Sequence, residues 1–245
     1  MPDKHASPGV VDAVISPPQP ATQTVAEMLE YGQALFEQNA VYFGHGTDNA
    51  WDEAVYLLSF VLELAPDVDR SVLERSLSEQ QQAAILALFQ RRIDERIPAA
   101  YLTGRAWFCG LPFNVDERVI IPRSPIAELI VNGFQPWCAA EPSRVLDLCA
   151  GSGCIGIACA YAFENAEVVL SDISPAALEV AEANIALHKF AYRVSALESD
   201  LFAGLSREQF DLIVSNPPYV DAEDFAEMPD EYHHEPELAL VSGDD

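Results

Sequence analysis

The sequence predicts an α/β protein: a parallel, doubly wound sheet preceded by a small all-helical unit, with a β-hairpin between them. Three observations carry this reading. From Arg144 onward, short apolar runs alternate with helical stretches, the pattern of a parallel sheet with crossover helices. From Thr22 to Ile97, apolar residues recur at helical spacing with no strand pattern between them. Each apolar run of the second half also ends in an acid or in Asn216-Pro217-Pro218-Tyr219, which gathers polar residues at the sheet edge where such folds bind ligands.

The composition fits this division. A chain of 245 residues, half of them hydrophobic, can bury a sizeable core and holds one large or two modest domains. No apolar run reaches the length of a membrane span, and the N-terminus lacks the basic-then-apolar layout of a signal peptide, so the expectation is a soluble cytoplasmic protein without a membrane partner. Five cysteines form no C-x-x-C pair and no Cys/His cluster of zinc spacing, so no metal site and free thiols are expected. Asp and Glu number 39 against 13 Lys plus Arg, a formal net charge of −26. Such a field repels phosphate backbones and attracts a basic protein, so no stable nucleic-acid binding is expected; the same charge also serves solubility. Oligomeric state is left open.

Residues 1–20 hold five prolines and little periodicity, and read as a disordered tail. Residues 21–97 read as a helical domain. Thr24 with Glu27 forms a capping box ahead of Met28, Leu29, Leu35 and Phe36, and Gly44-His45-Gly46 ends that helix. Ala54, Leu57, Leu58, Val61 and Leu62 form the face of a second helix that stops at Ala65-Pro66. Ser78 with Gln81 caps a third, with Ile85, Leu88, Phe89 and Ile93 inward and Arg91, Arg92 and Arg96 read as a solvated row. His45 reads as a satisfied loop histidine. Residues 98–125 form the linker, with a hairpin turning at Gly110-Leu111-Pro112, followed by a helix over Ile126–Phe134. The last domain covers 126–245, with strands at Arg144–Leu148, Val168–Leu170, Val194–Leu197 and Leu212–Val214. Ser174-Pro175 opens the helix after the second strand, with serine at the cap and proline in the first turn.

Candidate site residues follow from the strand ends. Gly151 and Gly153 allow a tight turn and close approach of a ligand to a helix N-terminus. Asp172 lies about 25 residues beyond Asp147, where an acid accepts hydrogen bonds from ribose hydroxyls. Asp200 is placed for an exocyclic amine, with Leu201 and Phe202 as apolar contacts. Asn216 and Pro217 offer an amide oxygen and a main-chain carbonyl that together could hold a planar NH2 group, with the Tyr219 ring as a wall. Gly151-Ser-Gly-Cys-Ile-Gly156 also matches a dinucleotide fingerprint, but that reading leaves Asp200 and Asn216–Tyr219 without a task.

Asp147-Leu-Cys-Ala-Gly-Ser-Gly153 and Asn216-Pro-Pro-Tyr219 resemble the signature of the protein-(glutamine-N5) methyltransferases. Tyr42–Asn49, Trp51–Val55, Trp107–Gly110, Pro122–Pro125 and Glu231–Glu237 are similar to the branch acting on large-subunit ribosomal protein L-three. The resemblance implies a Rossmann-like class I methyltransferase sheet, S-adenosyl-L-methionine as cofactor and a ribosomal-protein glutamine as substrate. It implies Asp147, Gly151 and Gly153 around the methionine part of the cofactor, Asp172 at the ribose, Asp200 and Leu201 near adenine, Asn216 against the cofactor as well, and Asn216, Pro217 and Tyr219 at the substrate amide. Cys149 stands where many methyltransferases have glycine. Rival readings are a release-factor glutamine methyltransferase, an adenine-N6 nucleic-acid methyltransferase, and an inactive ribosome-assembly protein. Because the family continues with further strands, a sheet truncated at its C-terminal side is also expected.

Overall fold

A computed structural model describes residues 24–205 and 207–242, so the expected tail at 1–20 lies outside the described residues. The chain divides into two compact units, one built from residues up to 41 and from 50–95, the other from 42–49 and 96 onward.

The first unit holds α1 (Val25–Gln38), α2 (Ala50–Leu62) and α3 (Glu79–Asp94). Both capping boxes form: Thr24 accepts from the Glu27 amide while Glu27 accepts from the Thr24 amide, and Ser78 and Gln81 do the same. Met28, Phe36, Leu57, Leu58, Ile85 and Phe89 are buried, with Phe36 and Phe89 packed edge to face at 5.1 Å. The arginine row departs from the expected solvated face. Arg91 is exposed beside Glu95, but Arg92 is 1% exposed and donates to Glu53 of α2. The reason is helical phase: Arg92 follows Phe89 by three residues and Ile85 by seven, so it shares their buried stripe. Arg96 lies beyond α3, belongs to the second unit and pairs with Glu231.

In the second unit a short α4 (Ala99–Thr103) precedes β1 (Arg105–Phe108) and β2 (Leu111–Asn114), an antiparallel pair. The hairpin turns at Cys109-Gly110 and not over Gly110-Leu111-Pro112: both turn residues have positive φ (49° and 74°), as a two-residue turn matching strand twist requires. Leu111 and Pro112 are therefore strand residues, Pro112 opposite Trp107 in a pair where every strand is an edge. α5 (Ile126–Val131) is shorter than expected, because Gly133 and Phe134 leave helical φ for 58° and 54°.

β3 (Arg144–Leu148), α6 (Cys154–Ala162), β4 (Glu167–Asp172), α7 (Pro175–Leu187), β5 (Val194–Glu198) and β6 (Leu212–Ser215) follow, then α8 (Ala222–Ala226), a 3₁₀ turn at Asp230–His234 and α9 (Glu237–Leu240). The sheet is parallel with order β5-β4-β3-β6. Its first face (Val145, Val168, Leu170, Val194, Val214) packs with residues of α5, α6 and α7. The opposite face (Leu146, Leu148) meets Leu205 and Phe210, so among the described residues the long helices cover one face where the sequence reading has both wound. The chain runs from β3 outward through β4 to β5, then returns to β6 on the other side of β3. That reversal opens a crevice at the carboxyl ends of β3 and β6.

Among the described residues, no helix is long and apolar enough to cross a membrane.

Candidate active site

Register brings the strand ends into line. Leu148 sits beside Ser171 on one side and Ser215 on the other, so Cys149, Asp172 and Asn216 emerge at one edge, with Ser199 just beyond β5. A cavity of about 350 Å³ opens there, within the size range of small-molecule sites. Gly151, Asp172, Asp200, Leu201, Asn216 and Pro217 all line it. Asp147, Gly153 and Tyr219 do not.

The turn after β3 is held by backbone and carboxylate together. The Ala150 amide donates to the Ser171 carbonyl at 3.0 Å, and the Asp172 carboxylate accepts from the Gly151 amide (2.8 Å) and the Ser174 amide (2.9 Å). Asp172 thus orders the loop and the start of α7 while each oxygen keeps a lone pair for a ligand. Gly151 has φ 53°, and a Cβ built there would meet nothing nearer than Ile120 at 3.9 Å, so the backbone lies open to the cavity. Gly153 (φ 77°) serves packing instead: a Cβ would come within 2.6 Å of a Leu170 methyl. Cys149 takes φ 61°, a region that favours glycine. Burial and the nearby Asp172 push its thiol pKa up.

Asp147 is fully buried beneath α6, where it accepts from the Gly156 amide at 2.7 Å. Gly153 provides no side-chain cap, so a strand carboxylate satisfies one of the free N–H groups of the first turn. Its other oxygen has no hydrogen-bond partner among the described residues. Burial pushes the Asp147 pKa up to about 7, against the lowering effect of the Gly156 hydrogen bond. The folded state therefore holds this proton more tightly than the unfolded chain. The stabilising contribution is complete below the unfolded value near 4 and is lost as pH rises through about 7. Asp147→Asn is expected to flatten that fall: thermal midpoints of variant and parent should draw apart in the variant's favour between pH 5 and pH 8. A gap independent of pH would show that Asp147 is ionised throughout.

At β5, Ser199 donates to the Leu201 carbonyl and accepts from the Gly204 amide, both at 2.8 Å, fixing the loop that exposes Asp200 and Leu201. At β6, the Ser215 hydroxyl donates to the Leu148 carbonyl at 2.8 Å, tying the two cavity-forming strand ends together. Neither the Asn216 amide nor the Pro217 carbonyl has a hydrogen-bond partner among the described residues, and both line the cavity. Tyr219 stands apart from its expected place as a wall. Its amide donates to the Leu240 carbonyl, and its ring is left 76% exposed.

Two walls escaped the sequence reading. Arg118, Val119 and Ile120 form one, with Arg118 held by Asp116 and Glu179. Pro236, Leu238 and Ala239 form the other. Neither follows a strand of the sheet, so no strand-end signal points to them. The lining suits an adenosyl group: open glycine backbone, two carboxylates for hydroxyl and amine donors, and apolar faces from Ile173 and Leu201.

Fold and site together are those of a methyltransferase. The family model of the methyltransferase small domain matches residues 127–231, and that of the PrmC N-terminal domain matches 27–104. Over 224 residues the chain is 49% identical to the ribosomal protein uL3 glutamine methyltransferase of Francisella tularensis subsp. tularensis, covering 91% of this chain and 71% of that one. The same enzyme of Xanthomonas campestris pv. campestris is 50% identical, with 91% and 72% covered. The chain belongs to the ribosomal protein uL3 glutamine methyltransferase family. A solved ribosomal protein L11 methylase from Lactobacillus delbrueckii subsp. bulgaricus is 31% identical over 36% of this chain and 44% of that one, with a TM-score of 0.31.

Proposed function

We propose that the chain transfers a methyl group from S-adenosyl-L-methionine to the side-chain amide nitrogen of a glutamine in ribosomal protein uL3. One observation carries the reading: the Asn216 amide and the Pro217 carbonyl, both without hydrogen-bond partners among the described residues, share a cavity with Gly151 and Asp172. When bound, the cofactor supplies a methyl group already activated by its sulfonium. Gly151, Asp172, Asp200 and Leu201 would hold it: Asp172 through the ribose hydroxyls, Asp200 at the adenine amine, and Leu201 against the ring.

The residues of β6 address the harder part of the chemistry. An amide nitrogen is a poor nucleophile because its lone pair is delocalised into the carbonyl. Two acceptors, the Asn216 oxygen and the Pro217 carbonyl, take both N–H groups, which orients the nitrogen and stabilises positive charge as it builds there. Well-aligned positioning supplies up to ~7–11 kcal/mol, and acceptors at developing charge add to it. The net charge of −26 suits a basic protein substrate and opposes a phosphate backbone. A ribosomal substrate is consistent with a reaction in the cytoplasm.

The test offers the full chain labelled S-adenosylmethionine with uL3 and, separately, with a peptide release factor, and maps the label by mass spectrometry. A single methyl on a uL3 glutamine amide is expected. Label on the release factor alone, or on neither protein, would overturn the assignment.

A further inference from the structure

Outside the cavity, Glu235 is a carboxylate with several partners at once. Its side chain is fully buried and takes both guanidinium arms of Arg123, at 2.6 and 2.5 Å, together with the Ile121 amide at 2.9 Å. His45 stands 3.6 Å from the same carboxylate and packs on Tyr232 with ring centroids 4.3 Å apart. Burial alone would raise the Glu235 pKa, but the Arg123 guanidinium and His45 together outweigh it and hold the carboxyl below its usual range. Glu231, at the start of the same turn, accepts from the Tyr42 amide and pairs with Arg96. The turn is thus pinned at both ends.

The position of Glu235 gives this cluster a consequence for the cavity. One residue later Pro236 lines the cavity, followed by Leu238 and Ala239 in α9. α9 ends at Leu240, whose carbonyl accepts from the Tyr219 amide at 3.2 Å and the Val220 amide at 2.9 Å. The Ser242 amide then donates to the Val220 carbonyl at 2.9 Å. On the other side, Ile121 and Arg123 directly follow the wall Arg118–Ile120. A continuous path of short bonds runs from that wall through Glu235 and α9 to the chain just after Asn216-Pro217.

We propose that Glu235 is a positioning residue for methyl transfer: it fixes α9 against the 119–123 segment, and α9 in turn holds Asn216 and Pro217 at the distance the substrate amide needs. This rests on the function proposed above for Asn216 and Pro217. Glu235 touches no reacting atom; its effect passes through the Leu240 carbonyl. The fork geometry matters, because a bidentate pair fixes orientation as well as distance.

Glu235→Gln keeps the volume but gives up the charge and one of the acceptor oxygens facing Arg123. In the full chain, kcat is expected to fall about tenfold or more, given the sensitivity of transfer to sub-ångström placement, while the cofactor Kd stays within about twofold. In the same variant the Tyr219 and Val220 amides should exchange with deuterium faster, while β3 and β4 amides keep their protection. The exchange is read without substrate, so it decides the role of Glu235 even if the parent chain methylates no glutamine; that outcome would sink the functional reading alone. Unchanged protection at Tyr219 and Val220, equal loss of protection across the sheet, or an undiminished kcat in an active parent would overturn the proposal. Should Glu235→Gln fail to fold, Arg123→Lys keeps the charge, loses the fork, and carries the same two readouts.

Discussion

Asn216→Ala is expected to lower kcat for glutamine methylation by about 10²–10³-fold, the cost of removing one well-placed group from a charge-stabilising pair, with cofactor affinity nearly unchanged. Asn216 lines the cavity after β6, whereas Gly151, Asp172 and Asp200, the groups proposed to hold the cofactor, follow β3, β4 and β5. Alanine leaves β6 intact, because the Ser215 hydroxyl still ties it to the Leu148 carbonyl. Pro217 keeps its carbonyl and can hold only one of the two substrate hydrogens, so the amide is free to turn about that bond. Isothermal titration with S-adenosylmethionine beside steady-state kinetics separates the two effects. A loss of cofactor affinity equal to the loss of rate would move Asn216 into the cofactor site and leave the substrate amide without its acceptor.

Arg92→Ala is expected to destabilise the helical unit by about 3–5 kcal/mol, the cost of removing one member of a buried ion pair. Arg92 and Glu53 are 1% and 3% exposed and 2.5 Å apart. Replacing the pair together, Arg92→Met with Glu53→Leu, should recover most of that loss, since well-packed apolar side chains avoid desolvating two ions. Arg91→Ala is the control: Arg91 and Glu95 are about half exposed, and such pairs contribute roughly 0–1 kcal/mol. Urea denaturation of the three variants decides. If Arg92→Ala and Arg91→Ala cost the same, the buried pair has no special weight.

These two positions show where pattern reading succeeds and where it fails. Thr24 with Glu27, Ser78 with Gln81, and Ser174 before Pro175 mark their helix starts because capping is a local exchange between residues three apart. The four sheet strands are legible because each is a short apolar run. Arg92 was misread for a reason contained in the sequence: its charge outweighed its phase. Glu53, equally in step with Ala54, Leu57 and Leu58, was the matching signal. The expected turn starts one residue late and ends two residues late because Pro112 looks like a turn residue, while Cys109 accepts a positive φ that β-carbon sterics disfavour.

For the site, the sequence by itself determined which groups gather at the carboxyl ends of the strands: Gly151, Asp172, Asp200, Leu201, Asn216 and Pro217 each follow an apolar run at a short, countable distance. Parallel strands in register must bring such residues to one edge, so local pattern suffices. Only the tertiary structure decided the rest. It buried Asp147 under α6 as a cap, turned Tyr219 out to solvent, and closed the cavity with 118–120 and 236–239. Those walls meet through Glu235 and Arg123, residues 112 positions apart. A contact at that separation leaves no period or local motif in the sequence, because it exists only once the sheet has placed both segments beside it.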